Sequence, residues 1–367
     1  MIRRDSVAAR LPTFPWDRLR PLKSRAEAVA GGIVDLSVGT PVDETPEVVR
    51  AALNAASNSP GYPTVLGTEA LRTAAAGWLA RRHGVRVDPQ NVLPVIGTKE
   101  LVASLPSQLG LGPGDAVAYP AIAYPTYDVG ARLAGAEAVA AGGTVELGPR
   151  RISLMWVNSP GNPTGQVLGV EHLRKVVEWA RERGTIVASD ECYLEFGWDA
   201  APVSLLHPDV CGGSYNGLLS VHSLSKRSNL AGYRAGFITG DPAVVAELLE
   251  VRKHAGFIVP GPVQAAMTAA LDDDAHVEVQ RERYARRRTE LRAAVEAAGF
   301  RIDHSAGGLY LWATRGEPCW GTASWFADRG ILVAPGEFYG SAGSHHVRIA
   351  LTATDERIAS AASRIAG

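Results

Sequence analysis

Residues 220–237 read SVHSLSKRSNLAGYRAGF, and the reading of the chain turns on them. The stretch continues an apolar run, Leu218–Val221, and leads into another, Ala235–Thr239. Between the two, Lys226 lies among Ser223, Ser225 and Arg234. A lysine at the end of a buried strand is costly while charged, and desolvation depresses its pKa. An imine-forming amine needs that depression. A lone loop lysine is ordinarily just solvated. Here two small hydroxyls and an arginine eight residues on make a suitable ligand set for a phosphate dianion.

Outward from this stretch, short apolar runs recur at Val92–Ile96, Ala116–Tyr119, Ile152–Val157 and Thr185–Ser189. They are continuous rather than alternating, as befits strands buried on both faces. Helical patterns separate several of them, for example 68–83, closed by Gly84, and 169–183. Thr45-Pro46 reads as a helix start, with Pro at the first position. This is the rhythm of an α/β chain with a mostly parallel central sheet flanked by helices. After Gly261 the rhythm changes: a long Arg- and Glu-rich helix over 274–298 precedes short strands at Leu309–Ala313, Ile331–Val333 and Val347–Leu351. A smaller α+β domain is expected there. The expected division is a large domain over 36–255 and a small one from 1–35 and 256–367, the N-terminal arm folding back.

The bulk properties agree. The chain has 367 residues, 46% hydrophobic and 20% charged, with net charge −1. That size suits two domains. The charge balance gives no reason to expect nucleic acid or an anionic membrane as partner. No apolar run approaches the roughly 18 residues of a membrane span. The basic N-terminus lacks an apolar core of the kind a secretory signal carries. Cys192, Cys211 and Cys319 form no CxxC pair. The expectation is a cytoplasmic protein.

Three further segments carry chemistry. In VASDECYLEFGW (187–198), Asp190 leaves the end of an apolar strand, and a buried carboxylate there needs a partner; Tyr193 follows three residues on. The plainer alternative is an Asp capping a turn. In WVNSPGNPTGQVL (156–168), prolines and glycines impose a rigid loop that holds Asn162. In VLPVIGTKELVASL (92–105), a strand ends at Gly97 and a helix begins near Thr98. The free N–H groups of Thr98 and Lys99 would face an anion placed there. Each segment alone also reads as ordinary turn architecture.

Taken in order, with separations of 28 residues from Asn162 to Asp190, 36 to Lys226 and 8 to Arg234, these segments resemble the class I/II aminotransferases of pyridoxal-phosphate fold type I. The resemblance runs from about Leu36 to Leu351. It implies pyridoxal 5'-phosphate as cofactor, bound as a Schiff base to Lys226, and no metal. It implies that Asp190 pairs with the pyridine nitrogen, that Tyr193 and Asn162 bond the ring oxygen, and that Tyr124 (in AIAYPTY) stacks on the ring. Thr98, Lys99, Ser223, Ser225 and Arg234 would hold the phosphate. Tyr62 (in GYPTVLG) would reach the phosphate of a neighbouring subunit, which makes a homodimer with shared active sites the expectation. Arg348 (in HHVRIAL) would clamp the substrate α-carboxylate, with Asn162 and Gly39 nearby.

The arm and several C-terminal segments resemble actinobacterial-type succinyldiaminopimelate aminotransferases of lysine biosynthesis. That resemblance implies amino transfer between glutamate or 2-oxoglutarate and a dicarboxylic amino or oxo acid, by ping-pong kinetics. Prephenate is the alternative acceptor, and a C–S β-lyase or a binding domain of a transcription regulator the alternative class. A substrate with a distal carboxylate calls for a second cation, for which Lys23, Arg25, Lys253 and His254 are candidates.

Overall fold

The structure, a computed structural model, describes residues 6–367; residues 1–5 of the expected arm lie outside it. The strands begin with the two-residue β1 (Val34–Asp35). Then come β2 (Val92–Ile96), β3 (Ala116–Pro120), β4 (Glu137–Ala141), β5 (Leu154–Asn158), β6 (Ile186–Asp190), β7 (Leu218–Ser223) and β8 (Ala235–Gly240). The last seven make one sheet, in the order β2-β8-β7-β6-β5-β3-β4. It is parallel throughout except that β8 runs against both β2 and β7.

Side chains of successive strand residues alternate between two cores. Met155 and Val157 of β5 face one core and Leu154 and Trp156 the other. Helices Glu69–His83, Val170–Arg183 and Gly261–Asp272 cover the first face; Thr98–Gln108, Thr126–Ala134 and Pro242–Ala255 cover the second. The helix over 68–83 forms as read, with Thr68 accepting from the N–H of Leu71 and Gly84 closing it at φ +66°.

Beyond this unit, β9 (Arg301–Ile302), β10 (Tyr310–Thr314), β12 (Ala334–Pro335) and β13 (Val347–Ala350) form an antiparallel sheet, and β11 (Ile331–Leu332) pairs with β1. Leu19, Leu22 and Ala26 of the arm share a core with this sheet.

Three readings need correction. The boundary at 255/256 falls too early. Helix Gly261–Asp272 puts Ala266, Met267, Ala270 and Leu271 into the core of the large sheet, so Gly256 (φ +74°) marks a turn between two helices of the large unit. Thr45-Pro46 does not start its helix as an N-cap pair. Pro46 itself is the extended N-cap residue of Glu47–Ala55, and the Thr45 hydroxyl donates instead to Asn229 O at 3.2 Å. Strand β4 has no counterpart among the expected strands: this edge strand buries only one of its five residues, and its apolar stretch Ala138–Ala141 is, apart from Val139, all alanine, a weak strand former.

Candidate active site

The reversed direction of β8 is what assembles the site. The carboxyl ends of β5, β6 and β7 lie side by side, with Asn158 opposite Asp190 and Asp190 opposite Val221. Arg234 precedes β8, so the antiparallel run returns it to that same edge, where Ser223 pairs with Gly236 and Ile96 with Ala235. In open α/β sheets this edge is where ligands bind.

Lys226 sits in the short helix Leu224–Arg227, capped by Ser223, whose Oγ accepts from the N–H of Ser225 at 3.1 Å. Its half-buried amine donates to the carbonyl of Gly39. Burial pulls its pKa below the usual lysine range; Tyr310 and Cys192 oppose this, and the charges of Arg348 and Arg234 add to it. Gly39 has to be a glycine, since a Cβ there would collide with the Tyr310 hydroxyl.

Asp190 is buried, and both its oxygens have donors. Oδ2 accepts from the Tyr127 hydroxyl at 2.9 Å and Oδ1 from the N–H of Cys192 at 3.2 Å. The turn-capping bond thus exists alongside a second, tertiary one. Burial raises the pKa of Asp190, and the bonds from Cys192 and Tyr127 hold it down. Asn158 ties the neighbouring loop in place: its amide donates to Asp190 O at 2.9 Å, and its Oδ1 accepts from the N–H of Asn162 at 2.7 Å.

Arg348, on β13, is buried. Its Nη1 donates to Asn162 Oδ1 at 2.9 Å and its Nη2 to Ser37 O at 2.6 Å. Its guanidinium carbon lies 4.1 Å from the ring centre of Tyr310 and 5.0 Å from that of Tyr339. Asn162 and Tyr193, expected to share one ring oxygen, have different partners here: Asn162 bonds Arg348, and the Tyr193 hydroxyl bonds that of Tyr310 at 2.8 Å. Tyr124 is half-buried, edge-on to Tyr127 at 6.0 Å, and burial pushes its pKa up to about 12.

At the end expected to hold the phosphate, Gly97 (φ +74°) caps helix Thr98–Gln108. The guanidinium of Arg234 lies across it, where a Cβ would stand. Thr98 Oγ1 is 3.4 Å from Cys192 Sγ, and the exposed Lys99 ammonium sits 5.6 Å from the Phe14 ring. Ser225 is buried, whereas Arg234 is exposed. Tyr62 is 100% exposed, apart from the cluster within its own chain.

The structure does not gather the four cations proposed for a distal carboxylate. Arg25 binds Asp328 at 3.1 Å, and Lys253 binds Glu250 at 2.6 Å on its own helix; Lys23 and His254 are exposed. Long charged surface side chains carry no sequence mark of where they point. Sequence reasoning missed Tyr127, Asn158, Tyr310 and Tyr339. Tyr127 had one available signal, its place three residues after Tyr124 in the first turn of a helix.

The family model described as "Aminotransferase class I and II" matches residues 32–365. The chain is 63% identical to 4-dedimethylamino-4-oxo-anhydrotetracycline transaminase of Streptomyces rimosus, over 97% of this chain and 99% of that one. It is also 63% identical to a "probable aminotransferase" of Mycobacterium tuberculosis, over 99% and 87% of the two chains. A solved structure titled "probable N-succinyldiaminopimelate aminotransferase" from Thermus thermophilus superposes with a TM-score of 0.87 at 28% identity, covering 96% of this chain and 99% of that one.

Proposed function

The chain belongs to the class I and II aminotransferases, and we propose that it moves an amino group between glutamate or 2-oxoglutarate and N-succinyl-LL-2,6-diaminopimelate, in two half-reactions at one site. That it is a pyridoxal-phosphate-dependent aminotransferase of fold type I follows from the family. The observation that carries the placement of the reaction is one loop. Gly39 O receives the Lys226 amine and Ser37 O receives Arg348, so the amine and the carboxylate-binding fork meet two residues apart.

The residues fit the cofactor: a lysine with a depressed pKa, a buried carboxylate at the neighbouring strand end, and a glycine-capped helix start crossed by an arginine. When bound, pyridoxal phosphate supplies an electron sink for charge developing at the substrate Cα. Lys226 would hold it covalently and, once freed by the substrate amine, take and return the Cα proton; its lowered pKa suits both directions of transfer. Asp190 would keep a proton on the ring nitrogen by its negative charge. The first-turn N–H groups of Thr98 and Lys99, with Ser223, Ser225 and Arg234, would hold the phosphate. Tyr193 and Asn162 would bond the ring oxygen, and Tyr124 would cover the ring face. Arg348 would orient the substrate by its α-carboxylate, a task that suits a planar fork.

The acceptor rests on the sequence resemblance, supported by the Thermus thermophilus structure. A second reading, transfer to a ring ketone, is favoured by the 63% identity to the tetracycline-pathway transaminase. With glutamate as donor, kcat/KM should be highest for the oxo form of succinyldiaminopimelate. A higher value for prephenate or a polycyclic ketone would overturn that choice. Release of pyruvate and ammonia without amino transfer would overturn the transferase reaction itself.

A further inference from the structure

Two tyrosine rings flank the Arg348 fork, Tyr310 at 4.1 Å and Tyr339 at 5.0 Å from its guanidinium carbon. Tyr193 and Tyr310 bond one another at 2.8 Å. The hydroxyl of Tyr339 is buried with no hydrogen-bond partner among the described residues, and the residue is only 3% exposed. Leaving such a group unsatisfied is expensive, so it calls for a partner such as a water, an ion or a ligand.

The surroundings say what that partner is. The Tyr339 ring lies against the guanidinium of Arg348, 5.0 Å from its carbon to the ring centre. The Tyr339 backbone carbonyl accepts from the N–H of Ala123 at 2.8 Å, which ties it to the loop carrying Tyr124. Trp16 of the arm closes the other side. Its ring meets Tyr339 edge-on at 6.3 Å, and its indole N–H reaches Ser37 O at 3.5 Å, the carbonyl that also receives Arg348. Arg348 in turn keeps a buried Nε with no acceptor among the described residues. Two donors without partners among the described residues, one cationic and one neutral, therefore belong to side chains in contact with one another. An anion with two oxygens would satisfy both, as a carboxylate does.

We propose that Tyr339 is a substrate-positioning residue whose hydroxyl donates to the carboxylate that Arg348 holds. This rests on the reading of Arg348 as the clamp. The hydroxyl stays protonated, and so a donor, across the working pH range, because burial raises its pKa while the charge of Arg348 opposes this. A phenylalanine at 339 would keep the ring packing and remove only the donor.

The test compares Tyr339→Phe with Arg348→Lys, using succinate as a non-reacting carboxylate, with its Kd measured by calorimetry on cofactor-free and cofactor-loaded protein. For Tyr339→Phe, the succinate Kd and the KM for glutamate should rise about tenfold, more than any fall in kcat, as expected for one lost hydrogen bond to a charged group. Its ligand-free melting temperature should be unchanged or higher, since an unsatisfied group has gone. Succinate affinity within twofold of wild type in Tyr339→Phe, with Arg348→Lys clearly weakened, overturns the proposal and leaves the clamp standing. If neither substitution changes succinate binding or the KM, the clamp reading fails and the proposal falls with it. A lowered melting temperature with an unmoved KM would make Tyr339 a packing residue only.

Discussion

Burial and function pull Asp190 in opposite directions: burial favours its neutral form, and the role proposed for it requires charge. The Cys192 N–H and the Tyr127 hydroxyl work against burial. Tyr127→Phe removes one of them, so the carboxyl should protonate at a higher pH. The acid limb of the kcat profile should then move upward by about one to two pH units, in line with the roughly 1.5–3 kcal/mol of a bond to a charged group. An acid limb left in place would remove Tyr127 from this task. Asp190→Asn should be harsher, with turnover down by about 10²–10³, the usual result of deleting a preorganised charge; turnover like wild type would refute the role. Strand-end position made Lys226 and Asp190 legible in the sequence, because a charge following an apolar run has to be explained. The bond Tyr127 makes to Asp190 was not legible. A tyrosine whose ring is buried looks the same whether or not its hydroxyl reaches a carboxylate 63 residues away.

Among the elements, the turn from β2 into helix Thr98–Gln108 has two constraints at one residue. Gly97 has φ +74°, and Arg234 occupies the space a Cβ would take. A Gly97→Ala variant should fold with a loss of about 1–3 kcal/mol for a positive-φ, extended backbone (φ +74°, ψ +147°) that only glycine readily adopts. Because the obstructing atoms are the mobile end of Arg234, the protein would relieve the clash by moving that guanidinium off the helix terminus. Cofactor retention on dialysis should therefore weaken more than stability does; unchanged retention would disconnect Arg234 from the phosphate. A second element-level feature sits where β6 ends beside helix Glu69–His83. Burial raises Glu191 to about 7, and burial lowers His83 to about 4. The folded state thus holds an extra proton on Glu191 between about 4.3 and 7, and stability falls as pH rises through that window. It lacks a proton on His83 between about 4 and 6.5, and there stability rises with pH. The two slopes oppose each other in wild type. Glu191→Gln should expose the histidine slope and leave the variant more stable than wild type at pH 8, by at most about 4 kcal/mol. Urea melts at about pH 5 to 8, spanning that window, check this, and parallel profiles for the two proteins would contradict it. Apolar runs made the strands of this sheet readable, but a run buried on both faces reads alike in either direction. The antiparallel course of β8, which brings Arg234 to the site, could not be seen in it.

At the scale of the whole molecule, one expected member of the site, Tyr62, stands apart from the cluster in its own chain. The side chain of Tyr62 is 100% exposed, on the loop after helix Glu47–Ala55. The phosphate end it is meant to serve is open on the outside, with Lys99 and Arg234 both exposed. A two-fold homodimer in which each Tyr62 reaches the other subunit's phosphate accounts for both features by symmetry. The alternative is a tyrosine that acts within its own subunit. Hybrid dimers separate the two. One subunit carries Tyr62→Ala and the other Lys226→Ala, with different affinity tags so that the hybrid is purified away from its parents. The Lys226→Ala parent should retain no more than about 10⁻⁴ of wild-type turnover, since general acid–base work alone contributes 10²–10⁴. The Tyr62→Ala parent should be clearly impaired through weaker phosphate binding. If Tyr62 acts across the interface, the hybrid has one complete site, built from Lys226 of the first chain and Tyr62 of the second, and should recover about half of wild-type activity per dimer. If Tyr62 acts at home, one site lacks the tyrosine and the other the lysine. The hybrid would then do no better than half of the Tyr62→Ala parent, and the shared site would have to be abandoned.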